Sequence, residues 1–464
     1  MTRLVVIGGG AAGMSAASAA RRIAPDLDVV VCEGGGFAAY GMCGIPYFLG
    51  GTVEHAESLL AYPPEEFRDK RGIDLRLRTR VTRIDPDAHQ VHLSDESGSG
   101  PLGYDALIVA SGADPVRPPV PGLDHDRVFT IRSLDEAIEL RRLLDTGTAR
   151  RAIVVGAGYI GLETAEALVC AGLDVEVIEA LPRVLGPVDQ PVADLAQAEL
   201  LRHARLRLGV RLDAVRGRDG GLTVVVDGAE SDTDLLVVAT GIRPATELLI
   251  QAGAQHLPDR SVVVDAGMRT SLPGVFAAGD CVALPHLVLD APAWVPLGPA
   301  ANKTGRVAGT VAAGGTASFA GVVGTAVVKV FNLEVARTGL GLDEARTAGL
   351  AAEATDVVSR SRAKYYPGSS PLHVRLVHAP DGRLLGGQMA GYEGAAKRID
   401  VVATALYAGL TVADLAALDL SYAPPFAPVY DPVIAAAQKA GRSASASAAR
   451  PAARPVPSTV GGSP

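Results

Sequence analysis

The sequence predicts an α/β protein with two doubly wound domains, each built on a parallel sheet, and a smaller α+β domain near the C-terminal end. An apolar run, a glycine-rich turn and a small-residue helix pattern open the chain, and the same arrangement returns near residue 150. Two copies of one supersecondary pattern predict two sheets of similar topology. A chain of 464 residues exceeds one hydrophobic core, and its length suggests about three domains.

The first glycine-rich turn lies in RLVVIGGGAAGMSAASAARR, residues 3–22. Gly8 allows a tight turn, Gly10 lets the backbone approach a pyrophosphate, and Gly13 lets the helix pack closely on the strand. The next apolar run ends at Glu33, twenty positions after Gly13, where a carboxylate can accept hydrogen bonds from ribose hydroxyls. This segment therefore predicts a dinucleotide site.

The second turn repeats the pattern in residues 150–180, with Gly156, Gly158, Gly161 and Glu179. Two dinucleotide sites in one chain indicate a relay of electrons between two cofactors. We expect FAD at the first turn and a nicotinamide nucleotide at the second. The carboxylate of Glu179 accepts ribose hydroxyls and repels a 2′-phosphate, so NADH is favoured over NADPH.

Three further segments fit a flavoprotein. Residues 104–122 and 233–249 are each a strand that ends in a small-residue turn, where the chain leaves one domain for the next. Asp280 follows a strand and two small residues in TSLPGVFAAGDC. An isolated aspartate of this kind more often caps a helix, but after two nucleotide turns it predicts a contact with the flavin ribityl chain.

Composition restricts the partners and the compartment. The net charge is −8 and no basic run dominates, so no nucleic-acid partner is expected. The sequence has no apolar run long enough to predict a membrane span. The four cysteines lie far apart without a C-x-x-C pair, which argues against a metal site or a disulfide scaffold and favours a reduced, cytoplasmic protein. Residues 442–464, rich in Ala, Ser, Pro and Arg, predict a disordered tail.

The order of motifs GGGAAG, Glu33, ASGA, GAGYIG, ATGIRP and AAGDC resembles the flavoproteins of the pyridine nucleotide–disulfide oxidoreductase superfamily. The resemblance runs from residue 1 to about 440. It implies an FAD-binding domain in two pieces, an inserted NAD(P)-binding domain and an α+β C-terminal dimerisation domain. The expected boundaries are 1–111 and 245–320 for the FAD domain, 112–244 for the NAD(P) domain, 321–441 for the dimerisation domain and 442–464 for the tail.

The resemblance also implies the residues that bind the two cofactors. They come from the glycine-rich turns, the acidic strand ends and the small-residue turns. They are Gly8, Gly10, Ala12, Gly13, Glu33, Ser111, Gly112, Asp280, Leu297, Gly156, Gly158, Ile160, Gly161, Glu179 and Gly241.

A single cysteine, Cys43, lies in a glycine-punctuated turn, MCGIPYFLGG, that opens a short predicted helix. The segment resembles the single-cysteine branch of the superfamily, which contains coenzyme A–disulfide reductases, NADH oxidases and NADH peroxidases. A thiolate at a helix N-terminus is expected to have a lowered pKa. Without a second cysteine to resolve it, this thiol must form a mixed disulfide or a sulfenic acid. We expect Cys32, Cys170 and Cys281 to be plain buried thiols.

Two features separate the members of that branch. Oxidases and peroxidases typically carry a histidine in the first glycine-rich loop, where this chain has Ala11 and Ala12, and this favours disulfide or persulfide reduction. The C-terminal segments around Tyr365 and Tyr422 resemble those of the reductases, whose tyrosines reach the active site of the partner subunit. The resemblance therefore implies a homodimer with shared sites; alternatively, both tyrosines only pack the dimer interface.

The substrate contacts are also implied by the resemblance. The expected residues are Arg22, Phe67, Arg71 and Asn302. Other positions depart from the polar residues of well-known members, namely Ala19, Ala39, Met42 and Tyr430. Fewer polar contacts make the entrance more apolar, so the substrate is coenzyme A disulfide, another small disulfide or a persulfide.

Three other functions stay open at this point. The chain could be an NAD(P)H oxidase that passes electrons to O2. It could be an electron-transfer reductase of the ferredoxin-reductase kind, in which Cys43 is dispensable. It could also be a redox sensor without significant turnover, in which oxidation of Cys43 alters partner binding.

Overall fold

A computed structural model describes residues 2–95 and 98–448 of the chain. By its internal contacts the chain divides into two compact units, residues 1–335 and 336–464. Across the described residues, every helix lacks the combination of length and apolar character that a membrane span requires.

The first 115 residues alternate short strands with helices and connecting turns. The strands are β1 (Arg3–Ile7), β2 (Asp28–Cys32), β3 (Ile73–Arg76), β4 (Arg80–Asp85), β5 (Gln90–Asp95), β6 (Gly98–Gly103), β7 (Ala106–Val109) and β8 (Ala113–Pro115). The helices are α1 (Ala11–Ile23) and α2 (Ile45–Leu49). Shorter helical turns cover Met42–Gly44, Ala56–Leu59 and Glu66–Lys70.

The next stretch repeats this alternation. Its strands are β9 (Val128–Phe129), β10 (Arg151–Val155), β11 (Asp174–Glu179), β12 (Arg205–Leu208), β13 (Leu212–Arg218), β14 (Gly221–Val226), β15 (Ala229–Thr233), β16 (Leu235–Val238) and β17 (Ile242–Pro244). Its helices are α3 (Leu134–Asp145), α4 (Tyr159–Cys170) and α5 (Gln190–Leu200).

The rest of the first unit returns to the first sheet. It contains α6 (Glu247–Gln251), β18 (Val262–Val263), β19 (Val275–Ala277), β20 (Val282–His286), β21 (Ala291–Trp294), α7 (Gly298–Ala312) and β22 (Ala326–Val330). The strand β23 (Leu333–Gly339) leads into the second unit.

Two parallel sheets form the centre of the first unit. Their strand orders are β19-β7-β1-β2-β3 and β12-β11-β10-β16-β9. The strands β1 and β10 each lie between two parallel neighbours, and each leads into a glycine-rich turn. Because both faces of β1 are covered, its residues Leu4, Val5 and Val6 are fully buried, as is typical of a parallel sheet.

The antiparallel pair of β8 and β17 connects the two sheet systems at the positions where the chain leaves the first and returns to it. These strands lie beside the predicted boundaries at residues 112 and 244. The domain limits themselves stay predictions.

The second unit is built on antiparallel strands. It contains α8 (Leu342–Thr347), β24 (Glu353–Arg360), β25 (Pro371–His378), β26 (Leu384–Gly391), α9 (Ala395–Tyr407), α10 (Val412–Ala416) and α11 (Pro432–Ala448). The order of pairing is β24-β25-β26, with α9 against β26 and α11 against β24 and β25. The predicted fold class, two doubly wound parallel domains followed by an α+β domain, is confirmed.

Helix α11 continues to Ala448, within the segment 442–464 for which the sequence predicts a disordered tail. The limits of this tail stay a prediction. The rest of the predicted tail, residues 449–464, lies outside the described residues.

Candidate functional site

The two glycine-rich turns, Gly8–Gly13 and Gly156–Gly161, have nearly identical geometry and form the first and the second cradle for a ligand. Gly8 has φ +98°, and a Cβ there would lie 2.3 Å from the carbonyl oxygen of Ala110; a Cβ on Gly13 would lie 1.8 Å from the oxygen of Gly8. A Cβ on Gly10, in contrast, would meet nothing within 4 Å. The first and third glycines are therefore needed for packing, and the middle one leaves open space beside the start of α1, where a pyrophosphate fits.

The second cradle repeats these distances around α4. Gly156 has φ +106°, and a Cβ there would lie 2.3 Å from the carbonyl oxygen of Ala239. A Cβ on Gly161 would lie 1.9 Å from the carbonyl oxygen of Gly156. A Cβ on Gly158, in contrast, would meet nothing within 4 Å. Both cradles therefore fit the phosphates of a dinucleotide.

A carboxylate stands beside each cradle. Glu33 accepts hydrogen bonds from the backbone N–H groups of Gly9 (2.6 Å) and Gly35 (2.7 Å). Glu179 accepts from Ala157 (2.7 Å) and Leu181 (2.8 Å) in the same way. Backbone donors hold both side chains in place, at the strand ends where ribose hydroxyls are expected.

Asp280 is held behind the first cradle by tertiary contacts. The indole Nε1 of Trp294 donates to the carbonyl oxygen of Asp280 at 2.7 Å, and Gly279 N–H donates to the Thr304 hydroxyl at 3.1 Å. Burial raises the pKa of the Asp280 carboxyl group, while the guanidinium of Arg132 lowers it. A carboxylate in this position can accept hydrogen bonds from sugar hydroxyls.

The remaining cofactor residues predicted from the sequence occupy the turns around the two cradles. Their role in cofactor binding stays a prediction. Ala12 is buried in α1, Ser111 donates to the oxygen of Ala245 at 2.6 Å, Gly112 and Gly241 have φ +73° and +113°, Leu297 caps α7, and Ile160 is 39% exposed in α4.

The turn that carries Cys43 precedes α2, and α2 packs on α4. A Cβ on Gly50, at the C-terminal end of α2, would lie 3.2 Å from the Cα of Ala167 in α4. Cys43 is exposed in the helical turn Met42–Gly44, as the sequence predicts for a thiol at the start of a short helix. Packing of α2 on α4 therefore brings this thiol to the helix that begins at the second cradle.

The pKa of Cys43 differs from the prediction. Although the residue reaches the surface, the protein atoms packed around the thiol desolvate the thiolate and raise the pKa, and the carboxyl groups of Glu163 and Asp280 raise it further. The lowered pKa expected from a helix N-terminus is not found, because α2 is only five residues long and two carboxyl groups face the thiol.

Glu163 lies in the cleft between α2 and α4. Burial and the neighbouring Glu166 raise the pKa of Glu163 to about 7, and Lys329 acts in the opposite direction. The cleft is lined by Pro46, Tyr47, Gly50, Thr52, Glu163, Glu166, Ala167 and Cys170. A carboxyl group of this kind can hold or release a proton near neutral pH, close to the thiol.

The other three thiols divide differently than predicted. Cys32 and Cys281 are buried, and burial raises the pKa of each to about 11. The expectation that Cys170 is buried is wrong, because Cys170 ends α4 where the helix reaches the surface.

One face of α1 gathers three of the four predicted substrate residues. Ser15, Ser18 and Arg22 follow the helical spacing that places side chains on the same face. Ser15 donates to the amide oxygen of Asn302 at 2.8 Å, and Arg71 donates to the Ser18 hydroxyl at 3.3 Å. Two guanidinium groups therefore lie along this face, which suits a phosphorylated ligand.

Phe67, the fourth predicted substrate residue, is buried with only 2% of its surface exposed. Its ring lies 4.8 Å below the Arg71 guanidinium and meets the ring of Tyr62 edge-on at 5.9 Å. Tyr62 is 47% exposed and itself lies 4.2 Å from the same guanidinium. In this arrangement Phe67 supports the surface, and Tyr62 offers the accessible aromatic ring.

The two predicted tyrosines lie in the second unit. Tyr365 is 76% exposed and Tyr422 is 48% exposed. A hydrogen bond between their side chains raises the pKa of Tyr422. The structure therefore brings together two phenols from segments 57 positions apart in the sequence.

Sequence reasoning missed Arg132 and Glu163. Arg132 lies 3.0 Å from the sulfur of Met42, next to Cys43, and acts on the carboxyl group of Asp280. A sequence signal exists only for Glu163, a carboxylate two positions after Gly161 that shares a mainly apolar helix with a second carboxylate, Glu166. Arg132 has no local signal, because its neighbours come from distant segments.

Comparison with known proteins identifies the family to which this architecture belongs. The profile of the family described as pyridine nucleotide-disulphide oxidoreductase matches residues 2–305, and the profile of its dimerisation domain matches residues 325–432. The chain is 39% identical over 425 residues to the NAD(P)H sulfur oxidoreductase (CoA-dependent) of Pyrococcus abyssi, covering 91% of this chain and 94% of that protein.

Two more similarities extend the comparison. The chain is 34% identical over 426 residues to the NADH oxidase of Methanocaldococcus jannaschii, covering 91% of this chain and 95% of the relative. The solved structure of an NAD-dependent persulfide reductase from A. fulgidus superimposes with a TM-score of 0.92 at 38% identity, covering 96% of this chain and 84% of that one. With two matched cradles, a cysteine-bearing turn and an antiparallel C-terminal unit, this chain belongs to the pyridine nucleotide-disulphide oxidoreductase family of enzymes.

Proposed function

We propose that this chain is an FAD-containing, NAD(P)H-dependent reductase of small disulfides or persulfides of the coenzyme A type, with Cys43 as its only redox-active thiol. The observation that carries the proposal is the position of this thiol. Cys43 is exposed in the turn before α2, and carboxyl groups from both nucleotide folds, Asp280 and Glu163, act on it.

The cofactors are assigned from the two cradles. FAD belongs to the first, beside Glu33 and Asp280, and NADH or NADPH belongs to the second, beside Glu179. When bound, the two dinucleotides supply the pair of electrons for the reduction. The chain contributes the binding groups, the reactive thiol and the carboxyl groups beside it.

The chemistry at Cys43 follows from thiol–disulfide exchange. The Cys43 thiolate attacks one sulfur of a substrate disulfide, the S–S bond of the substrate breaks, and the first substrate thiolate leaves. Two electrons and one proton then convert the mixed disulfide into the Cys43 thiolate and the second substrate thiol. Glu163, with its pKa raised to about 7, can hold a proton beside this site.

The substrate class is supported by the surface of α1. Arg22 and Arg71 present guanidinium groups along one face, and the exposed ring of Tyr62 lies beside Arg71. Guanidinium groups recognise phosphates, and an aromatic ring can stack on a base. A thiol joined to a nucleotide has both features, in agreement with the coenzyme A dependence in the name of the P. abyssi relative.

The dimerisation-domain match supports a homodimer. We assign Tyr365 and Tyr422 to the active site of the partner subunit, where a phenol can protonate a leaving thiolate. Heterodimers of a Cys43→Ser chain and a Tyr365→Phe/Tyr422→Phe chain should then regain up to one working site. Heterodimers that form without recovered activity would place the tyrosines in the site of their own chain.

The deciding experiment is a panel of electron acceptors with the purified, FAD-loaded protein and NADH. It contains coenzyme A disulfide, glutathione disulfide, polysulfide, hydrogen peroxide and O2. We expect turnover with coenzyme A disulfide or polysulfide, and we expect Cys43→Ser to abolish it while FAD stays bound. Cys170→Ser is the matched control and should keep full activity, because its thiol lies at the far end of α4. Full activity of Cys43→Ser would overturn the proposal.

A second candidate is an NAD(P)H oxidase, favoured by the similarity to the M. jannaschii protein. The same panel separates the two functions. An oxidase consumes NADH steadily with O2 as the sole acceptor, and disulfides do not accelerate it.

A further inference from the structure

The two tyrosine-bearing segments of the second unit meet at one guanidinium group. The first segment, 361–366, follows β24, and the second, 421–431, precedes α11. Neither contains a strand or an α-helix, and Tyr365 and Tyr422 are both largely exposed. Such segments need contacts from elsewhere to hold a defined arrangement.

Arg398, near the start of α9, makes contacts with both segments. One terminal nitrogen of its guanidinium donates to the carbonyl oxygens of Ser361 and Phe426, each at 2.9 Å. Its Nε donates to the carboxylate of Asp431 at 2.8 Å. The side chains of Arg398 and Asp431 are only 13% and 11% exposed, so these bonds are largely shielded from water.

The surroundings fit this arrangement closely. A Cβ on Gly394 would lie 2.2 Å from the other terminal nitrogen of Arg398, and Gly394 has φ +84°. A glycine here lets the guanidinium lie over the start of α9. A backbone hydrogen bond from Ala363 N–H to the oxygen of Pro424, at 3.2 Å, joins the two segments directly.

We propose that Arg398 is a positioning residue that sets the relative positions of Tyr365 and Tyr422 by fixing the two segments against each other. The inference rests on the proposed function for the role of the tyrosines in turnover. Only a planar guanidinium presents donors in the directions of three separate acceptors; a lysine ammonium can keep the ion pair but not all three bonds.

The test uses the full-length, FAD-loaded protein and two variants, Arg398→Lys and Asp431→Asn. The second variant keeps the shape of the side chain and an oxygen for Val433 N–H, which Asp431 accepts at 2.9 Å, so it folds even if the first does not. Lys397→Gln is the control. It removes a positive charge from the neighbouring position of α9, where the side chain is 87% exposed and pairs with Asp400.

Three measurements separate positioning from general damage. The turnover number with NADH and coenzyme A disulfide should fall about tenfold or more in Arg398→Lys and Asp431→Asn, because misplaced groups lose catalytic power. The rate at which NADH reduces the flavin without oxygen should stay unchanged. The tyrosinate absorbance should titrate at lower pH, since the bond that raises the pKa of Tyr422 is loosened. Lys397→Gln should match the wild type in all three.

The possible failures are distinguishable. If Tyr365→Phe/Tyr422→Phe keeps full turnover, the proposed role of the tyrosines is wrong, and the titration still tests the positioning by Arg398. If the tyrosine variant is inactive but Arg398→Lys and Asp431→Asn keep both full turnover and the wild-type titration, the inference is overturned and the proposed function stands. A parallel loss of flavin reduction and turnover also overturns it, because that pattern indicates damage to the whole fold.

Discussion

The carboxyl group of Glu163 lies near the thiol of Cys43, although 120 positions separate them in the sequence. After burial, this carboxyl group is the strongest influence that raises the pKa of the thiol. Glu163 itself is half-ionised near pH 7. Protonation of this one carboxyl group therefore changes the acidity of the Cys43 thiol near neutral pH.

The first prediction separates cofactor binding from packing. Gly10→Ala should fold with little loss of stability, because its Cβ has open space, but it should bind FAD weakly, because that space is the one a pyrophosphate needs. Gly13→Ala should instead destabilise the fold, since its Cβ would approach the oxygen of Gly8 at 1.8 Å. Thermal unfolding and FAD titration check both variants. Tight FAD binding by a well-folded Gly10→Ala would contradict the assignment of the first cradle.

The second prediction concerns the acidity of Cys43. Glu163→Gln removes a negative charge beside the thiol, so the thiolate should form at lower pH. The pH dependence of iodoacetamide alkylation measures this in a Cys170→Ser background, because Cys170 is also exposed. Glu166→Gln is the control and should shift the midpoint less. An unchanged or higher midpoint in Glu163→Gln would show that the two groups do not interact.

The third prediction follows from the raised pKa of Glu163. The folded protein holds this proton up to about pH 7, whereas the unfolded chain releases it near the ordinary value for glutamate. The folded state therefore binds more protons between these values, and this group makes stability fall as pH rises through that range. Each pKa unit corresponds to about 1.4 kcal/mol, so the destabilisation above pH 7 is on the order of 3–4 kcal/mol.

Glu163→Gln should accordingly be more stable than the wild type at pH 8 and lose that advantage towards pH 5. Urea unfolding at both pH values is the measurement. Glu166→Gln is the matched substitution and should lower the stability at pH 8, because Glu166 pairs with Lys329 and accepts a hydrogen bond from Phe331 N–H at 2.7 Å. If both variants change stability in the same direction at pH 8, burial does not explain the pKa of Glu163.

The fourth prediction concerns nucleotide preference. Glu179 is held by two backbone N–H groups, so the orientation of its carboxylate beside the second cradle is fixed. Glu179→Arg should shift kcat/KM from NADH towards NADPH, because it removes a hydroxyl acceptor and supplies a phosphate partner. Steady-state kinetics with both nucleotides check the shift. A wild type that already prefers NADPH would show that Glu179 does not select the nucleotide.

The two cradles could be predicted from the sequence because their requirements are local. The spacing of Gly8, Gly10 and Gly13 specifies a turn between a strand and a helix that are neighbours along the chain. Glu33 follows at the end of the next strand, within the same unit. The fold class depends on the same local patterns, and it is confirmed for the same reason.

Residues whose environment comes from distant segments could not be predicted in this way. The expectation for the pKa of Cys43 used only its own helix, whereas desolvation by the packed protein, and then the carboxyl groups of Glu163 and Asp280, raise this pKa. The sequence predicts a buried Cys170, yet the end of α4 that carries it reaches the surface. The role of Phe67 in substrate binding stays a prediction, but the tertiary structure buries its ring and leaves the ring of Tyr62 exposed beside Arg71.

The sequence by itself determined the elements, their order and the two nucleotide-binding turns, because strands, helices and glycine turns depend on residues close together along the chain. Only the tertiary structure decided which charges surround Cys43, which arginines share the face of α1 and which side chain joins the two tyrosine segments. Coulomb interactions and hydrogen bonds depend on distance in space, and the packing of α2 on α4 or of α9 beside two loops sets that distance.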